Sequence, residues 1–420
     1  MREPVASNDA IWLQDSACNR MVINAVLLAD RLEAADLRAT FRRRILEGPE
    51  APRFERLRCR ITGGGHRQYW ERDPDFDLDR HIVEDRVALE SQEAFQDYVG
   101  HEAGRELDGA HPRWSIRVMD GYEPGTTALL VRVHHSIGDG EALVSLLFAL
   151  VDEPIDGKPP AKVPPDRGGF LRAAAVPLAA PGILLRRLAW HPDHSPMHGP
   201  ALSGHKHVAW TRPMDLAVVK RARQAIGATV NDVLMASVSA AFSHYLEDHG
   251  DPPPSRFLVS MPMNVRAPGA PLLCDNHFAP VPLELPAGPG VRARRILEVK
   301  ASMDRVKGSA VPRAIYGLQR AALALLPDRM SRGLIDFLAN KCTAVVTNVT
   351  GPRGEVTLAG SRVRSMIFWV PQRARIGIGI SILSFSGRVQ VGIIADEALV
   401  PDPSVLVRAF EEEFESLSSL

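Results

Sequence analysis

Sulfur, net charge and long apolar runs are all scarce in this chain. Its 420 residues include four cysteines, Cys18, Cys59, Cys274 and Cys342, none in CxxC spacing. That argues against a zinc ribbon, a redox pair or a disulfide framework and fits a reducing compartment. Fifty basic residues balance fifty acidic ones, so no global field draws nucleic acid or an anionic membrane. No run approaches the ~20 apolar residues of a spanning helix. The nearest, residues 173–185, is broken by Pro177 and Pro181. The opening MREPVASNDAIWLQD has no apolar signal core. The expected location is therefore the cytoplasm, free or peripheral on a membrane or lipid inclusion. Also missing are a GxSxG elbow, a Walker A loop, HExxH and a complete GxGxxG, which weakens hydrolase, nucleotide-cleaving, zincin and Rossmann readings.

What is present is an ordinary globular composition, 45% apolar and 24% charged, in a chain long enough for two domains. Residues 1–153 alternate strands (21–30, 54–62, 114–120, 127–135) with helices (33–46, 91–107, 140–153). Ten prolines between 154 and 200 make 154–204 a linker or crossover. His191, His194 and His198, with His205 and His207 beyond, lack fixed ligand spacing. They read as solvated loop, and no metal is expected. The stretch 171–191 sets Arg172, Arg186 and Arg187 around apolar residues and suits either a lipid surface or packing on its own domain. From 205 to 420 a second alternating domain follows, with a helix over 229–250 capped by Thr229, strands at 256–266 and 277–286, two helical stretches, four strands and a closing helix. The class is α/β (α+β): two layered domains of mixed sheets flanked by helices.

The chemistry lies in HHSIGDG, residues 134–140, between a strand and a helix. Strand alternation places Leu129, Val131, Val133 and His135 on one face and Leu130, Arg132 and His134 on the other. The first face is apolar and directs His135 inward. Adjacent strand histidines point apart and cannot clamp one metal ion. An enclosed neutral imidazole suits a general base, worth about 10²–10⁴-fold. Gly138 and Gly140 are free to take positive φ in the turn. Asp139 can cap the next helix or accept an arginine. Taken singly, each of these is more often a buried core histidine or a plain turn; the combination is what points to a site.

HHSIGDG is similar to the HHxxxDG signature of the coenzyme A-dependent acyltransferases of the chloramphenicol acetyltransferase-like fold. More closely, the chain resembles the wax ester synthase/diacylglycerol acyltransferase family. The likeness runs from NDAIWLQDSACNRMVINAVLL and ELDGAHPRWSIRVMDGY through TVNDVLMASVSAAF, VSMPMNVR and DNHFAPVPLELP to TNVTGP and the tail ISILSFSGRVQVGIIADEALVPDP. Arg113, Asp275 and Thr350 depart from the family's leucine, glycine and proline.

The resemblance implies two domains facing across a tunnel. Acyl-CoA would be a co-substrate rather than a resident cofactor, and diacylglycerol or a long-chain alcohol would be the acceptor. His135 would be the base, with no acyl-enzyme. Asn276 would be an oxyanion donor or else a turn residue. Asp139 would pair with an arginine, for which Arg266 is the candidate, while His134 is mainly structural and Gly140 shapes the loop. Asn231 and Asp232 would organise a helix start, and Asn348 and Gly351 a loop. A condensation-type or polyketide-associated enzyme and a non-catalytic acyl-lipid binder are the rivals.

Overall fold

The computed structural model describes residues 2–65, 67–87, 91–153, 181–185, 187–192, 195–267 and 269–420. Most of the expected crossover, including 154–180, and His194 lie outside them.

Near-continuous apolar runs produce strands buried on both faces, and two sheets are built from them. The first has six strands in the order Thr357–Leu358, Ser361–Trp369, Val22–Asp30, Thr126–His134, Trp114–Asp120 and Ile82–Glu84. It is antiparallel except for the parallel pairing of Ile82–Glu84 with Trp114–Asp120. The second has seven, running Phe278–Pro286, Arg256–Asn264, Ala344–Thr350, Ile378–Phe385, Arg388–Asp396 and Lys206–Trp210, with Met214–Asp215 also paired to Arg388–Asp396. Its central pairings are parallel and its outer ones antiparallel.

Two strands cross between the halves expected on either side of the 154–204 crossover. Thr357–Leu358 and Ser361–Trp369 belong by sequence to the second domain yet complete the first sheet, the longer strand pairing with Val22–Asp30. The reason is in its residues. Met366 packs into the core on one face of the first sheet, while Ile367 and Trp369 pack on the other beside Val208, Trp210 and Ile394 of the second sheet. A strand with two apolar faces needs a sheet covered on both sides.

Three further expectations change. Residues 54–58 are not strand: Ala51–Arg58 is a kinked 3-10 segment, and the strand is Cys59–Gly64. Pro52 sits where a helical start tolerates it, and Phe54 and Leu57 are buried three residues apart rather than two. Three helices, not two stretches, follow residue 290: Arg292–Lys307, Val311–Leu325 and Asp328–Ala339. Pro312 starts the second and Pro327 precedes the third, each cutting what reads as continuous periodicity. Helix Val230–Asp248 has the expected Thr229 cap in a full capping box with Asp232. Among the described residues no single helix is long and apolar enough to cross a membrane.

Candidate active site

His135 follows directly on strand Thr126–His134, held by its backbone N–H to Met21 O at 2.7 Å. Leu129, Val131, Val133 and His135 all line one cavity of about 270 Å³. Its apolar wall comes from the first sheet and from helix Gly140–Leu150, through Leu143, Leu146, Leu147 and Leu150. Asn264, Arg266, Phe278 and Thr347–Val349 of the second domain border it as well. The imidazole thus stands where the two halves meet, at the polar end of an apolar chamber.

The hydrogen bonds fix the state of the ring. Asn276 Nδ2 donates to His135 O at 2.8 Å and to Asp9 Oδ1 at 3.0 Å, two groups that can accept. Its Oδ1 must then face the imidazole, where it accepts from His135 Nδ1 at 2.9 Å. The proton is therefore assigned to Nδ1, and Nε2 carries the lone pair. His135 is 4% exposed, and burial pulls its pKa down to about 4. It is uncharged at neutral pH.

This geometry alters the expectation for Asn276. Both amide hydrogens are already committed, to Asp9 and to the His135 carbonyl, so Asn276 orients the base from behind and does not offer a donor to an oxyanion. Its own backbone is clamped in turn: the N–H donates to Asp9 Oδ1 at 3.1 Å, and Asn8 Nδ2 donates to its carbonyl. Asp9, fully buried, is paired with Arg56 at 2.8 Å.

Asp139 does two jobs. One oxygen caps helix Gly140–Leu150 by accepting from Ala142 N at 3.1 Å; the other accepts from Arg266 at 2.6 Å and from His277 N at 3.0 Å. Arg266 also bonds Asp275, at 2.7 Å to Oδ1. The aspartate at 275, where the resemblance expects glycine, supplies this second carboxylate. The HHSIGDG turn is thereby tied across the domain boundary. Neither Gly138 nor Gly140 uses its freedom to take positive φ. Gly138 is instead required by space, since a Cβ there would lie 2.9 Å from Ala142 Cβ. His134 is taken up by Ser136 Oγ at 2.7 Å and Asp15 Oδ2 at 3.0 Å, away from the cavity face. Asn348 donates to Asn231 Oδ1 at 3.0 Å beside the cavity, Asp232 serves the capping box, and Gly351 N–H donates to Ser384 O at 2.8 Å. Among the described residues no His/Cys/Asp/Glu group is arranged for a metal.

Several neighbours of the base lack any signal in the sequence pattern. Trp12 stacks on the His135 ring at 3.9 Å between centroids and 14° between planes, and Phe278 lies 5.4 Å away. Trp12 comes from the segment SNDAIWLQD, as does the Asp9 that holds Asn276; the segment resembles the family's opening, but no local periodicity reveals these contacts. Cys274, next to the loop, is buried, and burial pushes its thiol pKa up to about 12.

Residues 6–189 match the model of the wax ester synthase/diacylglycerol acyltransferase catalytic domain, and residues 274–418 match the WS/DGAT C-terminal domain. The chain belongs to the wax ester synthase/diacylglycerol acyltransferase family. A relative from Mycobacterium tuberculosis named "Probable diacyglycerol O-acyltransferase" is 27% identical over 395 residues, covering 85% of this chain and 82% of that protein. The wax ester synthase/diacylglycerol acyltransferase of Marinobacter aquaeolei is similar in fold, with a TM-score of 0.71, 18% identity and full coverage of both chains. The first condensation domain of a calcium-dependent antibiotic synthetase follows at a TM-score of 0.64 and 17% identity, covering 100% of this chain and 96% of that one. This family member is accordingly an acyltransferase by kinship, and its HHSIGDG loop occupies the join of the two halves.

Proposed function

We propose that this enzyme transfers a long acyl group from coenzyme A to the free hydroxyl of diacylglycerol, with His135 Nε2 as general base. The observation that carries the proposal is the Nδ1–Asn276 hydrogen bond, which presents an uncharged Nε2 at the polar end of an apolar chamber. The name of the mycobacterial relative favours diacylglycerol over a simple alcohol.

Nε2 takes the hydroxyl proton as the alcohol oxygen attacks the thioester carbon. The tetrahedral adduct then expels the coenzyme A sulfur, and the imidazolium returns the proton to it. Two bonds change partners and no oxidant or metal is required. A neutral base costs no desolvation of charge before the reaction, and holding both substrates against one nitrogen removes much of the entropic barrier.

The test is product analysis by mass spectrometry with purified protein, palmitoyl-CoA and either dioleoylglycerol or hexadecanol. Triacylglycerol from the first acceptor is expected. Wax ester alone would move the acceptor assignment to long-chain alcohols. Product only from a carrier-bound acyl donor would overturn the coenzyme A reading.

A further inference from the structure

A second cavity, of about 230 Å³, lies apart from the reaction chamber, and no described residue lines both. Three pieces of chain enclose it: the short segment after Pro181, the outer strand Phe278–Pro286 of the second sheet, and the helices Arg292–Lys307 and Val311–Leu325. Ile183, Trp190, Val306 and Ile315 make its apolar wall. Pro280, Pro282 and Pro286 deny the strand's outer edge the N–H groups that a further strand would pair with. The space is therefore suited to a small molecule rather than to another stretch of backbone.

Two polar side chains open on this apolar space without a protein partner. Ser302 is 6% exposed, and its hydroxyl has no hydrogen bond among the described residues. Other buried helix serines close back on their own helix: Ser237 donates to Val233 O at 3.2 Å and Ser243 to Ser239 O at 3.0 Å. The second is Arg187, one of the arginines that the sequence sets among apolar residues. It has no carboxylate within ion-pair reach among the described residues. Burial pulls its pKa down, opposed by the Cys342 thiol. The acid on the cavity wall, Glu284, is already bonded to Arg256. A sheltered cation without a counter-charge is costly to the fold, and an anion entering the cavity would complete it.

We propose that this cavity binds a fatty carboxylate, with its head on Arg187 and Ser302 and its chain along Ile183, Trp190 and Ile315. A planar guanidinium meets a carboxylate through two parallel hydrogen bonds, and the apolar wall takes the methylene groups. The volume equals that of about eight water molecules at ~30 Å³ each, which suits a chain of medium length. This site is independent of which alcohol the reaction chamber accepts.

Calorimetry on the full-length protein tests it with decanoate, methyl decanoate and decyl phosphate. Decanoate is expected to bind most tightly of the three. Arg187→Leu should weaken it by roughly 10–100-fold and Ser302→Ala by about 2–10-fold, the worth of a charged and of a neutral hydrogen bond. Since Arg187 has no partner in the fold, Arg187→Leu should melt no lower than the wild type, which also shows that it folds. A decanoate analogue with a diazirine on its tail should crosslink to Ile183, Trp190 or the stretch from Ser302 to Ile315, as mapped by peptide mass spectrometry. Methyl decanoate or decyl phosphate binding as tightly as decanoate would overturn the proposal. So would unchanged binding by Arg187→Leu, a lower Tm of that variant without ligand, or crosslinks confined to the reaction chamber.

Discussion

A single imidazole organises the site, and its environment makes measurable predictions. Removing Asn276, as in Asn276→Ala, frees the ring to rotate and to hold its proton on either nitrogen. We expect kcat to fall by roughly 10–100-fold, the usual size of such a supporting contact, with KM for acyl-CoA little changed; an unchanged kcat would show that the Nδ1 bond is idle. With the folded pKa at about 4, the neutral form persists far below the ordinary value of 6.5. The acid limb of the rate profile should therefore lie nearer pH 4 than 6.5. Stability has a definite sign too. As pH falls, the unfolded chain takes up the histidine proton first, near 6.5, while the folded chain resists until about 4. The contribution is whole above pH 6.5 and erodes between there and 4. His81, also pulled down by burial, acts in the same direction. Tm measured from pH 7.5 to 4.5 should decline over that window.

The elements explain how a loop becomes a site. The HHSIGDG turn is pinned through Asp139, which caps the helix start with one oxygen and takes Arg266, reaching from beyond strand Arg256–Asn264, with the other. Arg266 is 5% exposed at its side chain and serves two carboxylates. Arg266→Ala leaves both without their cation, and removing one partner of a buried pair costs about 3–5 kcal/mol. Thermal unfolding should show the loss, and a Tm within a degree of wild type would contradict it. At this scale the sequence was readable wherever spacing was local. Alternation alone placed Leu129, Val131, Val133 and His135 on one face, and Thr229 was legible as a helix cap. Prolines misled where they start elements rather than end them, as at Pro52 and Pro312. What stayed hidden was long-range: Trp12 stacks on the base, and Asp9 holds Asn276 behind it, from more than a hundred residues away, and no periodicity encodes which loop lands on which strand.

Considered whole, the molecule is two large sheets laced together, with a small three-stranded sheet beside them. Trp369 is completely buried where they touch, its indole N–H donating to Ile393 O at 3.1 Å. Trp369→Ala should cost about 3–5 kcal/mol, read from chemical denaturation. Because Ser361–Trp369 pairs with Val22–Asp30, a chain stopped before residue 357 would leave that strand as an open apolar edge, and we expect it to aggregate. The lacing also holds His135 against residues of the far half, Asn276 and Phe278, and this placement is the centre of the account. The most direct measurement compares wild type and His135→Ala for palmitoyl-CoA binding by calorimetry and for triacylglycerol formation by mass spectrometry. The account predicts near-equal binding with turnover reduced by at least about a hundred-fold. Turnover that survives the substitution would contradict it.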